Sequence, residues 1–283
     1  MTVPFGDRLH AALNTWGPLC VGIDPHQELL AAWGLSHDAR GVEEFSLRVV
    51  EAAHGRVGVV KPQVAFFERF GAAGFAALEK TLTAARQAGL LVIADAKRGD
   101  IGSTMRGYCD AWLSAGSPLE VDALTVSPYL GPASLQETVD TAYAAGKGLF
   151  VLAATSNPEA VGLQTSQGSE QLTVATQVVR EAARAREDNL ASDSGWGSVG
   201  LVIGATVDPA PYGLTPEGLT GLPILAPGFG AQGAGPEDIH RVFADVSDQV
   251  IANESRSILR SGPSLIAGTI ESAAARYREV RHG

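Results

Sequence analysis

Eight short apolar, β-branched runs alternate with alanine- and charge-rich stretches along this chain, and that alternation predicts an α/β fold of parallel βαβ units. Eight repeats favour a closed (β/α)8 TIM barrel over an open doubly wound sheet. The length, 283 residues, exceeds the usual single-domain size but fits such a barrel. No shift in composition marks a second domain, so residues 1–283 read as one barrel domain with a short N-terminal helix.

The elements follow in a regular order. A short helix over Pro4–Thr15 precedes the first strand. Apolar runs of strand length predict strands at Leu19–Asp24, Gly58–Lys61, Leu90–Asp95, Val121–Val126, Gly148–Ala153, Val199–Ile203, Pro223–Ala226 and Gln249–Ala252. Amphipathic stretches between them, such as Val42–Ala53, Phe75–Ala88 and Glu170–Glu187, read as covering helices. A helix over Ser264–Val280 closes the chain. Asp188–Ser198 and Asp208–Leu222 are rich in Gly, Pro, Ser and Asp and read as loops; the second leaves room for only a short sixth helix.

Composition excludes several classes of function. The formal charge of −10 argues against a general binder of nucleic acid or anionic membranes, and an anionic substrate would need a locally positive pocket. Two cysteines, Cys20 and Cys109, suggest neither a disulfide framework nor a zinc cluster. The six histidines are scattered without metal-ligand spacing. No apolar run is long enough to span a bilayer, and the first ten residues lack the apolar core of a secretion signal. A cytoplasmic enzyme or binding protein is the expectation.

The most informative stretch is Asp95-Ala96-Lys97-Arg98-Gly99-Asp100, which follows the apolar run Leu90–Ala94. In a strand, residues two apart point to one face, so Asp95 and Lys97 are expected to project together from the strand's C-terminal end. Asp100 follows in the turn that opens the next helix. Three alternating charges this close are costly to bury unless they pair, which favours a preorganised charged site over a solvated strand end.

Active sites of barrels of this kind sit at the C-terminal ends of the strands. Here those ends carry Asp24, Lys61, Asp95 with Lys97, Thr155-Ser156-Asn157, the turn Gly228–Gly233, and Ser255-Arg256-Ser257. The loops after strands seven and eight often hold phosphate. Glycines let backbone N–H groups approach an anion, and an arginine supplies a fork of donors, so Gln232 and Arg256 suggest a phosphate grip. The same turn, Gly228-x-Gly230-x-x-Gly233, matches the dinucleotide fingerprint, but it follows six earlier βα units and the next helix starts only near Pro236–Asp238. His26 reads as a polar loop residue and Glu68 as an ordinary helix-start carboxylate.

These residues resemble a known family. Asp-x-Lys-x-x-Asp at Asp95, Lys97 and Asp100 looks like the signature of the orotidine 5′-phosphate decarboxylase superfamily, and Ala94–Thr104 looks like its second subtype, found in mycobacteria and other bacteria. The likeness extends to Val21–His26, to Val60–Gln63 with Ala65–Glu68, to Ala153–Pro158 and to Ala226–Gly233. The resemblance implies decarboxylation of orotidine 5′-monophosphate to uridine 5′-monophosphate, without a cofactor. It implies Lys97 as proton donor in an array with Lys61 and Asp95, joined by Asp100 from the neighbouring subunit of a homodimer, with Ile101 and Thr104 beside it. It implies that Asp24 and Lys61 hold ribose hydroxyls and Ser156 the pyrimidine. Gln232, with Gly233, and Arg256 would hold the phosphate. Some family members place a tyrosine three residues after that arginine, where this chain has Leu259 followed by Arg260.

Two alternatives compete. Sugar-phosphate enzymes of the same superfamily, such as a keto-gulonate phosphate decarboxylase or a hexulose phosphate synthase, use magnesium and place a glutamate near the end of strand two. Lys61 stands there in this chain and repels a divalent cation. A non-catalytic nucleotide binder would not need the costly Asp–Lys–Asp cluster.

Overall fold

The apolar runs form eight parallel strands that close in sequence order, the last pairing back onto the first. They are β1 Leu19–Ile23, β2 Val59–Pro62, β3 Leu91–Arg98, β4 Ala123–Val126, β5 Gly148–Ala154, β6 Val199–Ile203, β7 Ile224–Pro227 and β8 Val250–Glu254. The computed structural model describes residues 2–168, 170–189 and 192–282. Leu190 and Ala191, within the expected loop Asp188–Ser198, lie outside the described residues.

The barrel is filled by one apolar residue from every strand: Cys20, Val59, Ile93, Ala123, Phe150, Val202, Leu225 and Ile251. Their neighbours in sequence point outward into a second apolar layer, shared with the covering helices. The N-terminal helix, Phe5–Trp16, closes the bottom of the barrel by burying Phe5, Leu9 and Leu13 against that inner set. Each of those side chains contributes roughly 1.5–3 kcal/mol on burial, which secures a helix whose first turn has no side-chain cap. Phe5 meets Phe150 edge-on at 6.0 Å between ring centroids. A Cβ on Gly148 would lie 2.2 Å from the Phe5 ring, so only glycine lets the plug seat there. With the bottom sealed, the open end lies at the strands' C-termini, where the charged residues cluster.

Two strands extend by two or more residues past their expected ends. β3 continues through Lys97 to Arg98, and β8 runs to Glu254 instead of Ala252. The apolar pattern stops at the first polar residue, whereas the backbone continues through Asp95, Lys97, Arg98 and Glu254, whose side chains find partners around the barrel mouth. The expected helix from Glu170 begins at Val174, where Thr173 caps it by accepting the Thr176 N–H at 3.0 Å. Asp208–Leu222 holds one short turn of α-helix, Pro216–Leu219, as the loop composition suggested. The closing helix spans Ile266–His282.

Candidate active site

Asp95 is the hub of the site. Its Oδ2 accepts from Lys61 Nζ at 2.8 Å, and its Oδ1 is ion-paired with Lys97 Nζ. The Lys61 side chain is only 5% exposed while that of Lys97 is 46% exposed, so the first is an internal strut and the second faces the mouth. The Gln63 amide, with its nitrogen turned toward Asp95, donates to Oδ2 at 3.0 Å and to the Asp95 carbonyl at 2.7 Å. Burial by itself would push the Asp95 carboxyl up; the ammonium groups of Lys61 and Lys97 prevail and hold it at about 2. Burial likewise works to lower Lys61, but Asp95 and Asp24 outweigh it and keep the ammonium above its usual range. Asp95 and Lys61 are therefore held in their charged forms at neutral pH.

Asp95 and Lys97 do meet, but simple strand alternation does not bring them together. The β3–β4 register slips between Ala94 and Arg98, and Lys97 takes a left-handed backbone with φ of 49°. Thr125, buried on β4, receives the backbone N–H groups of Ala96 and Lys97 at 3.0 and 2.9 Å. Beyond the bulge, Arg98 is ion-paired with Glu68 and lies over the rings of Tyr108 and Trp112. Glu68 thus ties the helix after β2 to the end of β3.

Past the end of β1, Asp24 Oδ2 accepts from Ser255 Oγ at 2.6 Å, while its Oδ1 is buried without a hydrogen-bond partner. A Cβ on Gly22 would come within 2.7 Å of the Ser255 Cβ, so glycine there permits this bond. Asn253 Oδ1, on β8, is likewise buried without a partner. Two acceptors in that condition suit a ligand that brings hydroxyl groups.

The remaining candidates lie on the loops above. Ser156 is exposed beside Thr155, whose Oγ1 donates to Asn157 Oδ1 at 2.8 Å. Gln232 and Gly233 are exposed on a turn built on positive φ at Gly228, Gly230 and Gly233. The following helix starts at Asp238, too far on to seat a pyrophosphate over that turn, so the dinucleotide match has no structural basis. Arg256 begins a short helix after β8 and lines a cleft of about 690 Å³ with His26, Arg69 and Arg260. Leu259 is fully buried and its carbonyl accepts from Trp33 Nε1 at 2.9 Å, so this position does not face the cleft. Asp100 stands apart from Asp95 and Lys97; its Oδ1 accepts the Ile101 N–H at 2.8 Å. Ile101 and Thr104 are exposed.

Sequence reasoning passed over Gln63, Thr125 and Asn253 and gave Glu68 no role. Gln63 and Asn253 stand two residues from a marked position or strand end, which was the available signal. Thr125 sits inside an apolar run, Leu124-Thr125-Val126, and only the bulge in β3 shows what its hydroxyl does.

The architecture has counterparts among known proteins. The family model for the orotidine 5′-phosphate decarboxylase / HUMPS family matches residues 17–267. This chain belongs to that family. It is 51% identical over 265 residues to an orotidine 5′-phosphate decarboxylase of Corynebacterium efficiens, covering 94% of this chain and 93% of the relative. It is 52% identical over 281 residues to one of Streptomyces coelicolor, covering 98% and 97%. The crystal structure of a candidate orotidine 5′-phosphate decarboxylase from Streptomyces avermitilis superposes with a TM-score of 0.93 at 48% identity, over 100% of this chain and 98% of that one. The Leishmania donovani OMP decarboxylase aligns at 0.79 and 29% identity, over 99% and 100%.

Proposed function

We infer that this chain decarboxylates orotidine 5′-monophosphate to uridine 5′-monophosphate and CO2, the last step of de novo pyrimidine synthesis. The observation that carries this reading is the Lys61–Asp95–Lys97 array, charged, ordered and open to the mouth on the Lys97 side. Within the family, Lys61 separates it from the magnesium-using sugar-phosphate branch: a buried ammonium bonded to Asp95 opposes a divalent cation at the same carboxylate.

The chemistry follows from the charges. The bond from C6 of the pyrimidine to its carboxylate breaks, CO2 leaves, and the electron pair remains on C6. The Lys97 ammonium stands ready to stabilise that pair and then give it a proton, after which the lysine recovers a proton from solvent. Because Asp95 already fixes both lysines, little reorganisation is needed as charge develops. Asp24 and Lys61 serve the ribose hydroxyls, Ser156 the pyrimidine, and Gln232, Gly233 and Arg256 the phosphate. No step calls for a metal or an organic cofactor.

The active unit in this reading is a cytoplasmic homodimer in which Asp100, Ile101 and Thr104 serve the partner's site. Support comes from the loops after β3, β4 and β5. Asp100 is detached from its own array, and Ile101, Tyr129, Leu130 and Leu163 are 50–77% exposed on one side of the mouth. Among the described residues no helix is long and apolar enough to cross a membrane.

The test is an absorbance assay with orotidine 5′-monophosphate after exhaustive chelation. Undiminished turnover is expected. Activity lost in EDTA and restored by magnesium would move the chain to the sugar-phosphate branch.

A further inference from the structure

Lys97 holds a conformation that a lysine does not adopt freely. A left-handed backbone at a residue with a side chain is strained and persists only where the surroundings impose it. The bulge that creates it also turns the consecutive N–H groups of Ala96 and Lys97, which in a regular strand point to opposite neighbours, toward the same side. One side-chain atom takes both: Thr125 Oγ1, at 3.0 and 2.9 Å.

A hydroxyl has two acceptor positions and one proton. With both acceptor positions filled, the Thr125 proton has two candidate acceptors, Asp95 Oδ1 at 3.2 Å and the Ala94 carbonyl at 3.4 Å. The carboxylate is nearer and charged, and it takes the bond. That same Oδ1 is the oxygen paired with Lys97. A single buried hydroxyl therefore fixes the Lys97 backbone and the carboxylate atom that aims its ammonium. On the other side, the Ser127 N–H donates to the Arg98 carbonyl at 2.8 Å, so β4 and the residue that follows it clamp the lysine from before and after.

We propose that Thr125 is a positioning residue for decarboxylation: it acts through Asp95 and Lys97 to hold the proton-delivering ammonium in place. The proposal rests on the reaction assigned above. It predicts an effect on turnover and not on substrate capture, because the groups assigned to the ribose and phosphate lie on other strands.

The experiment compares Thr125→Val, which keeps the shape and deletes the hydroxyl, with Thr125→Ser, which keeps the hydroxyl. Thr125→Val is expected to lower kcat roughly 10–100-fold, the scale of a misplaced reacting group. KM should stay within about twofold, and Thr125→Ser should recover most of kcat. Hydrogen exchange of the Ala96 and Lys97 amides should speed up in Thr125→Val and stay slow in Thr125→Ser. If Thr125→Val does not fold, Thr125→Cys, with similar volume and a weak hydrogen-bonding thiol, carries the same kcat prediction. Wild-type kcat in Thr125→Val or Thr125→Cys overturns the proposal. So does a loss that appears equally in kcat and KM, or one that Thr125→Ser fails to repair. A wild-type protein inactive on orotidine 5′-monophosphate would instead overturn the reaction assignment, and the exchange measurement would still report whether Thr125 holds the turn.

Discussion

Neutralising Asp95 should destabilise the fold as well as stop turnover. In Asp95→Asn the carboxylate that now bonds both ammonium groups becomes an amide, and Lys61 stays buried beside it. Two estimates bound the cost. A carboxyl whose pKa drops from 3.8 to about 2 on folding contributes about 2 kcal/mol at neutral pH. Breaking a buried ion pair by removing one partner costs about 3–5 kcal/mol, because the surviving charge is left uncompensated. The second estimate should prevail at pH 7, since Lys61 cannot reach water and Lys97 repels it from the other side.

Urea unfolding of the wild type and Asp95→Asn across pH measures this directly. The folded-state pKa is depressed, so the contribution of Asp95 is complete above its unfolded value near 4. It is lost as pH falls toward about 2. The gap between the two proteins should therefore be full at pH 7 and narrow below pH 4. Adding Lys61→Met to Asp95→Asn should recover part of the stability by removing the stranded charge. An Asp95→Asn protein as stable as the wild type at pH 7, or a gap that widens on acidification, would refute the view that these charges stabilise one another.

Lys97→Ala should fold normally, since its side chain is half exposed, and should lose at least the 10²–10⁴-fold that a general acid typically supplies, measured as kcat on purified protein. Mixing inactive Asp100→Ala with inactive Lys97→Ala should restore activity through heterodimers with one intact site; no recovery despite demonstrated subunit exchange would place Asp100 in its own chain's site. Arg256→Ala should strongly reduce kcat/KM for orotidine 5′-monophosphate and barely affect orotidine, which lacks the phosphate. Charge-assisted hydrogen bonds to that group contribute roughly 1.5–3 kcal/mol each, and equal losses on both substrates would make Arg256 a structural residue.

The barrel was legible because parallel strands buried on both faces must be apolar throughout, which separates them from the amphipathic helices that cover them. Strand ends were harder to place for the same reason. At Asp95–Arg98 and Asn253–Glu254 the side chains turn polar while the backbone stays extended, so a pattern based on apolarity stops early. The helix over Val174–Glu187 shows the converse: its start is set by one hydroxyl on one N–H group, which composition averages away.

The site was legible as a set of strand ends but not as a set of contacts. Closure of eight strands in order makes β2 and β3 neighbours, which puts Lys61 beside Asp95; sequence order alone is enough to anticipate that pair. The same adjacency places β4 against β3, yet Thr125 gains its role only because β3 bulges between Ala94 and Arg98. A regular β3 would turn the N–H groups of Ala96 and Lys97 to opposite neighbours, β2 and β4, so that one hydroxyl could not take both. Local sequence carries little sign of a bulge at a residue other than glycine, because the strain is imposed by distant partners, Thr125 before Lys97 and Glu68 through Arg98 after it. The residues hardest to read from sequence are thus those that hold Lys97 in a conformation its own chain would not choose.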